Sequence, residues 1–131
     1  MDSTSTTKVR DKLIAGIDHI ITETRLVLTA PAADKTYARG MAIARNSATD
    51  KLVPYVLGGS DGTGDIYAIL ADEQEFLAAD TDDRNIVIYI QGQFNQNEIS
   101  FDGAGAISDI RAQARERGIF LEAAIYDNDS V

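Results

Sequence analysis

The sequence predicts a mostly β domain with one short C-terminal helix, and three observations lead there. Short apolar runs rich in Ile, Val and Tyr recur along the chain. The strongest is Asn85 to Gln93, where Ile86, Ile88 and Ile90 alternate with Val87, Tyr89 and Gln91. Dense turn formers separate the runs, as in Asn-Ser-Ala-Thr-Asp at 46–50 and Gly-Gly-Ser-Asp-Gly-Thr-Gly-Asp at 58–65. Helical spacing is clear once, in Ile107, Ile110 and Ala114 at i, i+3, i+7. Arg111, Arg115 and Arg117 fall late in that stretch and Gly118 stops it.

The totals bound the rest. A chain of 131 residues is one domain by the usual span of about 100–200 residues, and it is long enough to bury a core without staples. It has no Cys, no Trp and a single His, so disulfides, zinc thiolates and cysteine nucleophiles are excluded. The formal charge of −9 repels nucleic acid and anionic lipid, so neither is an expected partner. No apolar run reaches the length of about 18 residues that spans a bilayer. The N-terminus, Met-Asp-Ser-Thr-Ser-Thr-Thr, reads as no secretory signal.

Taken in order, residues 1–7 are too polar to offset their own ordering entropy. Leu13, Ile14, Ile17, Ile20 and Ile21 are spaced loosely like one helix face, which Gly16 and Asp18 weaken. Residues 1–20 are therefore expected to be a flexible arm that acquires a fixed fold only on docking. The β-rich domain is expected over 21–127, with a polar tail at 128–131. Its strands are expected at 22–29, ended by Pro31; at 40–45; at 51–56, where Pro54 marks an edge or bulge; at 66–71, of the buried type; at 85–93; and at 119–126. Residues 72–83 read as a solvated acidic loop with one apolar anchor in Phe76 and Leu77. Asn95 to Asn97 is a turn. Asp102 or Gly103 is expected to cap the helix.

No constellation predicts chemistry. The glycine-rich 58–65 lacks the Gly-Lys-Ser/Thr ending of a phosphate loop and places Asp61 and Asp65 where a phosphate would lie. Asp61, Asp65, Asp80, Asp82 and Asp83 lack the spacing that gives Ca²⁺ its roughly six to eight oxygens. His19 falls in the expected arm, which cannot preorganise a general base. Tyr37, Tyr55, Tyr67, Tyr89 and Tyr126 are scattered and not interleaved with cations, so packing is their expected use. Arg111, Arg115 and Arg117, with Glu116 among them, are expected in a salt-bridged or subunit-facing cluster. Neither catalysis, nor a metal, nor a cofactor is expected.

The order of several segments resembles the lambda-D-like family of bacteriophage head decoration proteins, over about residues 13–125. Leu-Ile-Ala-Gly at 13–16 followed by Thr-Glu-Thr-Arg-Leu-Val-Leu at 22–28 is similar to the family's arm and first strand. Tyr-Ala-Arg-Gly-Met-Ala-Ile-Ala at 37–44 and Lys-Leu-Val-Pro-Tyr at 51–55 resemble the strand pair that follows. Gly-Asp-Ile-Tyr-Ala-Ile-Leu-Ala-Asp at 64–72 resembles a core strand of the family, with Ala68 where glycine is common. Gly-Gln-Phe-Asn-Gln-Asn at 92–97 and Arg-Gly-Ile-Phe-Leu at 117–121 are the most specific pieces.

The resemblance implies a β-clip-like bent ribbon and a structural role without catalysis. It implies a late virion protein, made in the host cytoplasm, that sits as a homotrimer on the outer surface of the expanded head. There it would bind the major capsid protein and stabilise the shell. Lys8, Val9, Arg10, Leu13 and Ile14 are the expected capsid-binding residues, adding to a capsid strand through main-chain hydrogen bonds. The alternatives are a soluble ligand-binding or accessory β module, or a tail or receptor-binding component.

Overall fold

A computed structural model describes residues 13–23 and 27–123. The described residues form ten strands, one 3₁₀ turn and one helix. The strands are β1 (Ile14–Glu23), β2 (Val27–Leu28), β3 (Lys35–Tyr37), β4 (Ala42–Asn46), β5 (Lys51–Pro54), β6 (Ile66–Leu70), β7 (Gln74–Phe76), β8 (Arg84–Asn85), β9 (Ile88–Asn95) and β10 (Ile119–Glu122). The 3₁₀ turn is Gln96–Glu98 and the helix, α1, is Ile107–Arg117. The expected class, mostly β with one C-terminal helix, is what the chain adopts.

Eight strands make the main sheet, in the order β10-β9-β6-β4-β5-β2-β8, with β1 also paired to β9. The remaining two, β3 and β7, pair antiparallel as a separate ribbon. Strand β9 is the hub. Its first residues, Ile88 and Tyr89, face Leu70 and Ile69 of β6. Its last four, Gly92 to Asn95, pair in parallel with Ile119 to Glu122 of β10. Along the other edge β1 runs antiparallel from Glu23 opposite Ile88 to Ile14 opposite Phe94.

The core has two parts because both faces of the sheet are covered. Phe94, Ile66, Ile69, Ile110, Ala114, Ile119 and Leu121 pack on the α1 side. Leu28, Ile43, Leu52, Leu70, Phe76, Ile86 and Ile88 pack on the side of the β3–β7 ribbon. Strand β4 shows the division: Ala42 and Ala44 belong to the first cluster and Ile43 to the second, as strand alternation requires. Each fully buried Leu, Ile or Phe contributes about 1.5–3 kcal/mol of transfer free energy.

The arm needs correcting. Residues 13–20 are not a free segment; β1 starts at Ile14 and is ten residues long. Leu13 is only 3% exposed and packs in the α1-side cluster. The Ile-rich stretch suits a strand better than a helix because β-branched side chains fit the pleat. Gly16 weakened the helix reading but lies opposite Gln93, where the ladder with β9 is irregular, and glycine is at home there. The domain boundary therefore falls before residue 13, not at 20. Residues 1–12 and the tail at 128–131 lie outside the described residues.

Other boundaries shift for identifiable reasons. The strand expected at 22–29 divides between β1 and β2. The strand expected at 85–93 breaks at Ile86–Val87, because β8 pairs with β2 at one end of the strand order while β9 sits near the other. In the acidic loop, Phe76 is fully buried on β7 and Leu77 is exposed, so the apolar anchor is Phe76 alone. Asp102 does not cap α1. The N-cap is Ala106, whose N–H donates to Asp109 Oδ2 at 2.7 Å. At the other end Gly118 has φ +88 and donates to the Ala114 and Arg115 carbonyls, the C′ stop the sequence predicts.

Leu13→Ala should lower stability by about 2–5 kcal/mol, the range for truncating a buried Leu. Urea unfolding of the full chain checks it. A midpoint unchanged from that of the parent would put residue 13 outside the core.

Candidate functional site

Of the residues expected to bind a capsid, Lys8, Val9 and Arg10 lie outside the described residues. Leu13 is committed to the domain's own core, and its carbonyl accepts a hydrogen bond from Asn95 N–H at 2.7 Å. Ile14 is partly buried against the same cluster. Leu13 therefore serves the domain's own core, and Ile14 packs partly against it.

The acidic side chains do not gather. Among the described residues no three of His, Cys, Asp and Glu come together as a metal site. Asp80 accepts from Leu77 N–H at 2.7 Å and faces Arg84 at 3.6 Å. Asp83 accepts from Ala30 N–H at 3.0 Å and from Lys51 Nζ at 2.6 Å. The helix cations also have local duties. Arg111 donates to the Leu121 carbonyl at 2.6 Å and to Gln96 Oε1 at 2.7 Å, tying α1 to β10. Arg117 lies over the Tyr67 ring at 4.9 Å. His19 falls in β1, not in an arm.

The glycine-rich segment builds a surface feature. Gly59 and Gly64 approach so closely that a Cβ on Gly64 would lie 2.6 Å from the Gly59 carbonyl oxygen. The loop closes with Val56 N–H donating to the Thr63 carbonyl at 2.8 Å and Gly59 N–H to the Val56 carbonyl at 2.9 Å. Held at its mouth, Val56 and Leu57 are 50% and 49% exposed. They form part of a cleft of about 500 Å³ together with Pro31, Val53, Pro54 and the 102–104 segment.

Two tyrosines line this cleft, Tyr37 and Tyr55, each only 3% exposed. Each packs edge-on against a phenylalanine: Tyr37 on Phe76 at 5.7 Å and Tyr55 on Phe101 at 5.8 Å between centroids. Neither phenol hydroxyl has a hydrogen-bond partner among the described residues. Among the described residues no fully buried side-chain polar atom lacks a hydrogen-bond partner, so neither hydroxyl is wholly closed off from solvent. Burial, reinforced by Asp102 for Tyr37 and by Asp109 and Asp65 for Tyr55, raises both phenols above their ordinary value. They are donors at neutral pH. At the rim Lys35 Nζ sits 3.0 and 3.2 Å from the two Asp102 oxygens. That hydrogen bond, then the Asp102 charge, raises the Lys35 pKa.

The sequence pointed to neither the cleft nor these roles for Tyr37 and Tyr55. Their lining residues come from five separate stretches, and only folding brings them together. The arrangement suits binding: an apolar hollow with a few polar groups. No protein-family model matches the chain, and no curated protein matches it.

Asp83 makes a pH prediction. Lys51, then Ala30 N–H, hold its carboxyl below the ordinary carboxylate value. A depressed folded pKa contributes stability that is complete above the unfolded pKa of about 3.9 and is lost as pH falls through the folded value. Asp83→Asn should therefore unfold at lower temperature than the parent at pH 7, and the gap should shrink steadily below about pH 4. Thermal melts from pH 7 to pH 3 check this; a gap of constant size over that range would contradict it.

Proposed function

We propose that this chain is a structural virion protein of the lambda-D-like kind. It decorates the outer surface of the expanded phage head as homotrimers and stabilises the shell by binding the major capsid protein. The fold would be the family's bent ribbon, and the exchange of β6 for β10 along β9 supports a bend at that point.

One structural observation carries the proposal beyond the resemblance. The segment holding Lys8, Val9 and Arg10 precedes β1 in the sequence, and β1 has a single strand neighbour, β9, among the described residues. Whatever holds residues 1–12 is thus joined to the longest strand of the domain, and through β9 to both core clusters. A cement must carry load between its contact and its body. A strand pulled along its own axis distributes that load over many ladder hydrogen bonds. The segment from Lys8 to Lys12 carries three cations and one acid in a chain of net charge −9, so it is set apart electrostatically from the acidic body. Trimeric placement lets three modest contacts act together.

The cleft favours one other reading, a ligand-binding module, since its two unpartnered hydroxyls would orient a small molecule. Co-sedimentation separates the two. The full chain should pellet with expanded phage shells and stay in solution with unexpanded ones. Deleting residues 1–12 should weaken shell binding by more than about tenfold, the scale of one lost anchor, while the unfolding midpoint stays that of the parent. Equal binding by the truncated chain would remove the segment from the contact, and no binding to any shell would remove the proposal.

A further inference from the structure

The cleft has an apolar wall in Val56 and Leu57, two donors in Tyr37 and Tyr55, and a cation at its rim. What fits it is an apolar knob that brings an acceptor and a carboxylate. The chain itself carries one. On β10, Phe120 is 39% exposed while its neighbours Ile119 and Leu121 are buried. Glu122, two residues on and therefore on the same face of the strand, is also exposed.

We propose that the cleft of one copy receives Phe120 of the next. Glu122 then comes to Lys35, whose side chain is 43% exposed beside its Asp102 contact. The alternative knob, Leu77, is less suitable. It follows Phe76, which pairs with Lys35 of the cleft itself, so it belongs to the receiving side. Phe120 stands on a regular strand, and aromatic side chains are the usual anchors of such contacts.

Knob and hollow are in different places. Strands β9, β6 and β4 lie between β10 and β5 in the sheet order, and no residue of β10 lines the cleft. Two separate patches cannot make a self-matching two-fold contact. They make a head-to-tail one, which closes into a ring or runs on as a filament. The inference rests on the homotrimer proposed above, for which ring closure at three is the form the contact takes.

The chain has no cysteine, so introduced thiols can pair only with each other. Ala104→Cys places a thiol at the cleft and Glu122→Cys places one beside the knob, and both leave Phe120, Val56 and Leu57 in place. Under air oxidation the two variants mixed should form the mixed dimer more than about tenfold faster than either cross-links to itself, because docking raises the local thiol concentration. A chain carrying both substitutions should close into covalent trimers. Adding Phe120→Ala to the Glu122→Cys variant should return cross-linking to its self-pairing rate. Mixed and self cross-links at equal rates would overturn the contact, as would cross-linking indifferent to Phe120→Ala. So would a small molecule held in the cleft of the purified full chain with no mixed cross-link. Shell binding is read separately. Trimers on shells without the 104–122 cross-link would sink this interface and leave decoration standing; the cross-link without shell binding would do the reverse.

Discussion

Eight residues, Ile88 to Asn95, hold this fold together through their backbone. A strand has two edges, and β9 uses one for β1 along nearly its whole length. It divides the other between β6 at Ile88 and Tyr89 and β10 from Gly92 to Asn95. Much of the rest follows from that division. Where β6 leaves and β10 enters, the sheet opens, and α1 lies over the opening with Ile110 and Ala114 fully buried. Gln113 pins the helix to the start of β6, its Oε1 accepting from Ile66 N–H at 2.9 Å, and Arg111 pins it to β10. Removing any of the three partners of β9 would expose main-chain groups that have no other partner in the interior, at about 1–3 kcal/mol for each unsatisfied group.

The same arrangement explains why the domain has two core clusters and not one. The chain crosses from β8, beside β2, to β9, and Ile86 and Ile88 enter the ribbon-side cluster as it does so. Phe94, six residues after Ile88, enters the α1-side cluster. A single strand thus stitches the two halves together. On the decoration proposal this has a mechanical sense. Load that reaches β1 passes into β9 and is shared by both clusters.

Much of this was legible in the sequence wherever local signals and tertiary demands agree. Gly118 after Arg115 and Arg117 marks the end of α1 because only a residue tolerant of positive φ closes that turn. The alternating apolar residues of Asn85 to Gln93 mark the strand β9, with Ile86 and Ile88 buried, though not the break before it. What was not legible depends on partners distant in the chain. Leu13 and Ile14 look surplus beside a polar N-terminus, and only the edge of β9 gives them a place. Asp102 looks like a helix cap until Lys35, 67 residues earlier, takes its carboxylate. Tyr37 and Tyr55 look like ordinary packing aromatics, and nothing local shows that both line one cleft.

The dependence of the fold on the β1–β9 ladder is tested most directly by native-state hydrogen exchange on the free full-length protein. Amides of β1 that face β9 should be protected to nearly the same degree as those of β9 itself, and both should rank among the slowest in the chain, because they open only when the hub opens. If residues 14–23 exchange at unprotected rates while Ile88 to Asn95 stay protected, the first strand is an appendage and β9 is not held from both sides.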